Sequence, residues 1–309
     1  MFRIAHLTDP HVGPLPRPAI RHLLGKRFTG YVNWRRGRRQ AHDMDVLAAL
    51  VRDLREQAPD HIACTGDICN LGLASEWPSS RLFLDGLGSP EAVTFVPGNH
   101  DAYVQKSLAG LLNAVDPFAR GDDPATPYRF PFLRRRGPVA IVGLSSAVPT
   151  APFVASGKMG RTQRKHAEEM LSALGGEPLF RLVLIHHPPQ VGGAPAGRNL
   201  TDAEKFEAMI RKTGADLIIH GHNHVGSVAH IEGPNGWVPV IGAPSASARG
   251  GALTHRAGYH VYTISGEPGA FRVEAELRGI DSTGKFCGLG PITMGRDPIT
   301  FRQAMGMRR

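Results

Sequence analysis

Five short apolar runs along the chain each end in polar residues, most of which can bind a metal ion. The runs cover residues 4–7, 62–64, 91–96, 182–185 and 217–219. The polar residues that follow them are, in the same order, Asp9 and His11; Asp67; Asn99, His100 and Asp101; His186; and His220, His222 and His224. Short apolar runs that stop at turn residues predict buried strands. Since ligands bind beyond the carboxyl ends of strands in open α/β sheets, this repetition predicts one site.

Between these runs, apolar residues recur at helical spacing. In residues 43–56, Met44, Leu47, Leu50 and Leu54 form one stripe, which predicts an amphipathic helix that covers the sheet. Further helices are predicted at 75–87, around 108–115, at 159–174 and from 201 to about 212, the last opened by a capping box from Thr201 to Glu204. After His224, short runs separated by turn residues predict antiparallel strands at 225–231, 237–241, 258–264 and 271–277.

No linker or repeat divides the chain, so we predict a single domain over residues 1–278. A basic insertion occupies about residues 12–42 of this domain. The Gly-rich segment 279–309 ends in basic residues, and we expect this tail to be partly disordered.

The amino terminus enters a strand at once, and no apolar run approaches the roughly eighteen residues of a membrane span. These features predict a cytoplasmic protein. The cysteines, Cys64, Cys69 and Cys287, are odd in number, which favours free thiols over a disulfide framework.

The insertion contains no acidic residue between Pro10 and His42. Its positive charges are Arg17, Arg21, Lys26, Arg27, Arg35, Arg36, Arg38 and Arg39, with Phe28, Tyr31 and Trp34 among them. Two interpretations remain open: a solvated loop, or a surface within residues 17–39 that binds a phosphate-rich ligand or an anionic membrane. The formal net charge of +9 favours anionic partners in general, nucleic acid included.

The polar residues at the strand ends have the chemistry of a metal centre. The candidate ligands are Asp9, His11, Asp67, Asn99, His186, His222 and His224. Imidazoles and carboxylates without thiolates suit divalent Mn, Fe or Zn rather than a structural zinc knot. Seven ligands exceed what one catalytic ion takes, which indicates two ions that share a bridging carboxylate. Asp67, the single carboxylate at its strand end, is the natural bridge.

Five motifs in this order resemble the calcineurin-like metallophosphoesterases. They are Asp9-x-His11, Gly66-Asp67, Gly98-Asn99-His100-Asp101, His186-His187-Pro188-Pro189 and Gly221-His222-x-His224. The resemblance implies a four-layer α/β/β/α sandwich of two mixed sheets with a dinuclear centre. It also implies that Asp9, His11, Asp67 and His224 bind the first metal, and that Asp67, Asn99, His186 and His222 bind the second.

The same resemblance implies roles for two neighbouring residues. His100 is expected to stabilise the transition state or to protonate the leaving oxygen, with Asp101 supporting it. The attacking group is expected to be a metal-bound hydroxide. The family pattern favours His186 over His187 as the ligand, and His6, His42, His61, His220 and His230 stay unassigned.

Within the family, the opening motif and the His-His-Pro-Pro motif are similar to those of bacterial class III cyclic-nucleotide phosphodiesterases. We therefore predict hydrolysis of a cyclic nucleotide or small diester. The alternative is hydrolysis of a lipid-linked pyrophosphate, such as a UDP-diacylglucosamine, by an enzyme peripheral to the inner face of the membrane. A nuclease is a weaker alternative because no DNA-binding appendage is evident. An inactive protein-binding scaffold is disfavoured because every ligand position is kept.

Overall fold

Two six-stranded mixed sheets form the centre of the molecule. The computed structural model describes residues 1–249, 255–281 and 283–295, and the backbone alone at residues 38 and 39. The first sheet contains β1 (Phe2–Leu7), β2 (His61–Cys64), β3 (Val93–Phe95), β10 (Gly258–Glu267), β11 (Ala270–Ile280) and β12 (Phe286–Pro291), in the order β12-β11-β10-β1-β2-β3. The second contains β4 (Phe132–Arg136), β5 (Val139–Gly143), β6 (Phe180–Leu184), β7 (Leu217–His220), β8 (Ser227–Gly233) and β9 (Gly236–Gly242), in the order β4-β5-β6-β7-β9-β8.

Parallel pairing brings the site-bearing strand ends to one edge of each sheet. Strands β1, β2 and β3 are parallel neighbours, as are β5, β6, β7 and β9. Antiparallel strands complete both sheets. The carboxyl ends of β1, β2 and β3 therefore lie side by side, and so do those of β6 and β7.

The helices are α1 (Lys26–Asn33), α2 (Arg39–Ala41), α3 (Met44–Glu56), α4 (Trp77–Leu87), α5 (Ser107–Ala114), α6 (Arg161–Leu174) and α7 (Ala203–Thr213). Helices α3, α4 and α5 pack on the outer face of the first sheet, and α6 and α7 pack on that of the second, whereas α1 and α2 belong to the insertion. As predicted, α3 is amphipathic: its Leu47, Leu50 and Leu54 are buried, and its amino terminus is capped by the Asp43 carboxylate.

Alternation along the strands divides the core into three layers. In β1, Ala5 and Leu7 pack on the side of α3, whereas Ile4 belongs to a cluster between the sheets with Ile141. In the second sheet, Val142 packs in a separate cluster with residues of α6 and α7. Since successive strand residues point to opposite faces, these clusters define helix, sheet, sheet and helix layers. The predicted α/β/β/α sandwich is confirmed.

Three details differ from the sequence-based expectations. Strands β4 and β12 were not predicted, and β9 pairs in parallel with β7 as well as antiparallel with β8. The predicted capping box is wrong. The Thr201 hydroxyl donates to the Gly157 carbonyl, and the Asp202 carboxylate accepts from the amides of Met159 and Gly160 just before α6.

The predicted boundary at residue 278 falls inside β11, and β12 extends the sheet beyond it. Residues 296–309 of the predicted tail lie outside the described residues. The single-domain assignment stays a prediction.

The basic insertion forms a helical segment that is attached to the main body. It consists of a 3₁₀ turn (Ile20–Leu23), α1, a π-helical stretch (Trp34–Arg38) and α2. The Arg27 guanidinium donates to the Leu71 carbonyl, and the Lys26 ammonium donates to the Val154 carbonyl. Among the described residues, no helix combines the length and hydropathy needed to cross a bilayer.

Candidate metal centre

Five of the predicted ligands have an unusual backbone conformation. The φ angles are 51° at Asp9, 40° at His11, 55° at Asp67, 70° at His222 and 59° at His224. Positive φ is uncommon outside glycine, and in the described part of the chain only two other non-glycine residues, Ala58 and Phe153, share it. Strained backbone conformations cluster at functional sites, where the surrounding structure holds them in place. The backbone conformation of these loops therefore sets the direction in which the ligand side chains point.

Glycines allow these loops to approach each other. A Cβ atom on Gly98 would lie 2.2 Å from Asp67 Oδ1, and one on Gly221 would lie 1.9 Å from Thr8 Oγ1. Both distances are far shorter than van der Waals contact. The glycines that precede Asn99 and His222 are therefore required for the close approach of the loops.

The first group of ligands consists of Asp9, His11 and His224. Their ligand atoms all lie within 4.8 Å of one another, and Asp9 Oδ1 is 3.1 Å from His224 Nε2. Two donors orient the Asp9 carboxylate, because its Oδ2 accepts from the Thr8 hydroxyl at 2.7 Å and from the His222 amide at 3.0 Å. The His11 ring is held by its Nδ1, which is 3.1 Å from the Cys69 carbonyl oxygen.

The second group consists of Asp67, His186 and His222, whose ligand atoms also lie within 4.8 Å of one another. The side-chain oxygen of Asn99 joins them, 3.2 Å from His186 Nε2 and 2.9 Å from His222 Nδ1. With Asn99, the two groups bring together the seven residues that the family resemblance implies as ligands.

Asp67 lies between the two groups. Its Oδ2 is 4.0 Å from His11 Nε2 in the first group and 3.4 Å from His186 Nε2 in the second. Its Oδ1 accepts from the His100 amide at 2.7 Å. One carboxylate oxygen thus faces ligands from both groups, which is the position expected of a bridge.

The protonation states of Asp67 and His222 suit divalent cations. Burial alone would raise the pKa of Asp67, but His186 and His100 hold it well below its usual value, and the carboxylate is ionised. Burial, then His187 and His186, lowers the pKa of His222, so its imidazole is neutral. Metal ligands must be deprotonated in this way. His222 presents its Nδ1 to the other ligand atoms of its group, 2.9 Å from Asn99 Oδ1. Burial alone would lower the pKa of His186, but the Asp67 carboxylate raises it to about 9, so a bound cation would have to displace the His186 proton.

The His100 ring is held by a contact different from the one expected. Its Nδ1 lies 2.6 Å from the carbonyl oxygen of Asn70, which leaves Nε2 on the far side of the ring. The Asp101 carboxylate instead accepts from the backbone amides of Asp67, Cys69 and Gly98 at 2.8–3.0 Å. The Asn70 carbonyl thus contacts the ring, and Asp101 joins two of the ligand loops. Support of His100 by Asp101 stays a prediction.

Burial, and then the nearby Asp67 carboxylate, raise the pKa of Asp101 to about 7. Its three amide donors favour the ionised form and limit this rise. The position of Asp101 agrees with a structural role beside the ligands.

His187 is engaged by the protein through both ring nitrogens. Nδ1 is 2.7 Å from the Ser146 hydroxyl, and Nε2 is 3.0 Å from the Ala155 carbonyl. These contacts agree with His186, not His187, as the ligand.

Sequence reasoning missed several residues that surround the centre. Thr8 orients Asp9, and the buried Glu76 carboxylate accepts from the amides of Asn70, Leu71 and Leu73, which shapes the loop that holds His100. The His42 ring lies 4.4 Å from that of His11 and 5.8 Å from that of His224. His42 is the last residue of the insertion, and no motif in the sequence distinguishes it from the other unassigned histidines.

Comparison with known proteins agrees with this geometry. The family model described as "Calcineurin-like phosphoesterase" matches residues 2–226. The chain belongs to this family. It is 26% identical over 230 residues to the glycerophosphodiester phosphodiesterase GpdQ of Enterobacter lignolyticus (strain SCF1), covering 72% of this chain and 70% of the relative. It is 25% identical over 247 residues to a probable cyclic nucleotide phosphodiesterase of Synechococcus sp., covering 79% and 80%.

Solved structures share the fold of this calcineurin-like chain. A dimetal phosphatase from Danio rerio superposes with a TM-score of 0.60 at 14% identity, covering 93% of this chain and 98% of the other. The purple acid phosphatase PPD1 from Lupinus luteus superposes with a TM-score of 0.54 at 13% identity, covering 93% and 52%. The protein is thus a metal-dependent phosphoesterase by family, with two groups of candidate metal ligands.

Proposed function

We propose that the protein hydrolyses phosphodiester bonds, with a cyclic nucleotide or another small diester as substrate. The observation that carries this proposal is the position of Asp67 Oδ2 between the two ligand groups. Two bound Mn, Fe or Zn ions would activate a water molecule and neutralise charge on the phosphate. Asp9, His11 and His224 would hold one ion, Asn99, His186 and His222 would hold the other, and Asp67 would contribute to both sites.

His100 supplies the proton for the leaving group in this proposal. Its Nδ1–H donates to the Asn70 carbonyl, so a second proton resides on Nε2 in the imidazolium form. The attacking water first loses one proton to solvent; as the oxygen of the resulting hydroxide bonds to phosphorus and the ester bond breaks, Nε2 gives its proton to the leaving oxygen. Asp101 keeps the loops of Asp67 and Gly98 in register, so its role is positioning.

Two relatives support a diester rather than a monoester. Both are named as phosphodiesterases, one for glycerophosphodiesters and one, as probable, for cyclic nucleotides.

The test is hydrolysis by the Mn-loaded protein of bis(p-nitrophenyl) phosphate, cyclic AMP and single-stranded DNA, with p-nitrophenyl phosphate as the monoester. We expect turnover of the small diesters and its loss in Asn99→Ala. Preference for the monoester or for DNA would reject the proposal. A stable protein that retains no metal and is inactive with added Mn would favour the scaffold alternative.

A second candidate is a lipid-linked pyrophosphate substrate, favoured by the exposed surface of the insertion. Ile20, Leu24 and Phe28 recur every four residues and are 87%, 75% and 60% exposed. Arg17, Arg21, Arg35 and Arg36 are exposed around them. Apolar side chains among arginines suit an anionic bilayer, and the location that goes with this candidate is the inner face of the membrane.

Vesicle binding separates the two candidates. For the lipid candidate, we expect co-sedimentation with phosphatidylglycerol vesicles, its loss in the Ile20→Ser/Leu24→Ser/Phe28→Ser variant, and turnover of a UDP-diacylglucosamine in micelles. Leu82→Ser is the matched control, because Leu82 is 72% exposed on α4, outside the insertion. Equal sedimentation of all three proteins, or no turnover of the micellar substrate, would reject the lipid candidate.

A further inference from the structure

A cavity of about 230 Å³ adjoins the first ligand group. Its lining includes Pro14, Leu15, Trp34 and Met44 together with the rings of His11 and His42. His11 belongs to the candidate metal centre, whereas Pro14, Leu15 and Trp34 belong to the insertion. The cavity therefore lies between the candidate metal ligands at the strand ends and a part of the chain outside the five motifs.

The walls of this cavity are held in place by contacts to the rest of the molecule. His42 Nδ1 is 2.8 Å from the Ser247 hydroxyl, and the Trp34 ring stacks on Tyr31 at a centroid distance of 6.0 Å. Leu15 is buried in a cluster that Trp34 packs against. The cavity is thus formed by ordered side chains, and binding pockets are usually formed in advance of the ligand.

The size and lining of the cavity restrict what it accommodates. Pockets that enclose a whole ligand usually measure roughly 300–1,000 Å³, so this one is suited to a single substituent. Trp34, Leu15, Pro14 and Met44 present apolar surface, and the polar side chains in the lining are those of His11, His42 and Asn70. An aromatic ring or a short alkyl group matches the apolar part of this surface, whereas a second phosphate would meet no Lys or Arg side chain among the described residues of the lining.

We propose that this cavity is a subsite for one apolar, ring-sized substituent of the phosphoester, with Trp34 as its main contact. The proposal rests on the proposed function, since it places the phosphate at the metal centre beside His11. It assigns substrate selectivity to the insertion. His42, which contacts His11 and lines the cavity, marks the boundary between the phosphate and its substituent.

The test compares two monoesters that differ only in the substituent. Isothermal titration of the Mn-loaded protein with phenyl phosphate and methyl phosphate measures the ratio of their affinities. We expect phenyl phosphate to bind about ten-fold more tightly, because burial of a ring in an apolar site contributes on this scale. In Trp34→Ala the ratio should fall to near one.

Two further variants test whether loss of folding, and not loss of the subsite, causes the lower affinity ratio in Trp34→Ala. Met44→Trp, which fills the cavity from its other wall, should lower the same ratio. Trp237→Ala, on β9 and outside the cavity lining, should leave the ratio unchanged. Equal affinities for the two monoesters in the native protein, no detectable binding of phenyl phosphate, or an equal ratio in the native protein and in Trp34→Ala would each overturn the subsite.

Failure of the proposed function gives a different result. A protein that keeps the affinity ratio but hydrolyses no diester retains the subsite and rejects the activity. A protein that hydrolyses diesters but binds both monoesters equally retains the activity and rejects the subsite.

Discussion

The metal centre and the basic insertion are adjacent but are built in opposite ways. Asp9, His186 and Asp67 are at most 2% exposed, and their side chains are oriented by neighbouring donors and acceptors. The insertion displays apolar side chains such as Ile20 to solvent and is attached through a few long side chains such as Arg27. The chemistry is therefore located in over-determined loops. The insertion is fixed where side chains such as Trp34 pack on the body, and its exposed face is free to vary the substrate or the surface that is bound.

The largest effect should come from the bridging carboxylate. Replacement of Asp67 by Ala removes the one group placed between both ligand sets, so bound metal and kcat/KM on bis(p-nitrophenyl) phosphate should fall together. The loss should exceed the roughly 10–100-fold caused by removing an outer partner of a metal ligand. Metal analysis and steady-state kinetics measure it. Arg35→Ala in the insertion is the control, and an equal loss in this variant would remove the distinction between the metal centre and the insertion.

The next effect concerns stability of the ligand loops. Asp101→Ala removes a buried acceptor of three backbone amides, which should lower the free energy of unfolding by about 3 kcal/mol. Urea denaturation measures this change. Since the carboxylate joins the loops after β2 and β3, a variant with native stability would mean that these loops are held by other contacts.

Loss of folding stability at acid pH should also arise from histidines in the sheets and not from the insertion. Burial, and then Arg134, lower the pKa of His61 to about 3, and burial with His220 lowers that of His260 to about 3. Between pH 6.5 and 3 the unfolded chain takes up protons at these histidines and the folded chain does not. The contribution of these histidines to the free energy of unfolding is therefore complete above pH 6.5. It falls with the pH, by about 2 kcal/mol per histidine at pH 5.

Urea denaturation of the native protein and of His61→Gln, each measured from pH 7.5 to 5, gives the part of this stability loss that is due to His61. The free energy of unfolding should fall less steeply with pH in the variant, because one titrating group is removed. Other groups, such as Asp101 with its raised pKa, act equally in both proteins and cancel in the difference. Identical slopes would contradict the assignment to His61.

The smallest effect should come from the attachment of the insertion. Arg27→Ala removes hydrogen bonds to the Leu71 and Gly72 carbonyls and to the Ser107 hydroxyl, at a cost of about 1 kcal/mol. Hydrogen exchange should accelerate in residues 20–41 and not in the strands. Faster exchange throughout the molecule would show that the insertion is part of the cooperative core, and would remove the distinction between the two regions.

Much of the site was predictable because its signals are local. Each apolar run marks a strand, the residues after it mark the strand end, and parallel strands must bring such ends together. The His-His-Pro-Pro motif favoured His186 over His187, which agrees with the two protein contacts made by His187. By contrast, the capping box at Thr201 failed because a four-residue pattern cannot report that Thr201 and Asp202 bond to Gly157, Met159 and Gly160 instead.

Local patterns in the amino-acid sequence establish the α/β class, the order of the strand ends and the residue types available for metal binding. The tertiary structure adds that Asp67 lies between two ligand groups, that the His100 ring contacts the Asn70 carbonyl, and that Trp34 and His42 line a cavity beside His11. The two sets of features differ in the sequence separation of the contacts that produce them. Strand and helix periodicity depends on neighbours a few residues apart, whereas these contacts join residues that are tens to hundreds of positions apart and form only when the two sheets pack together.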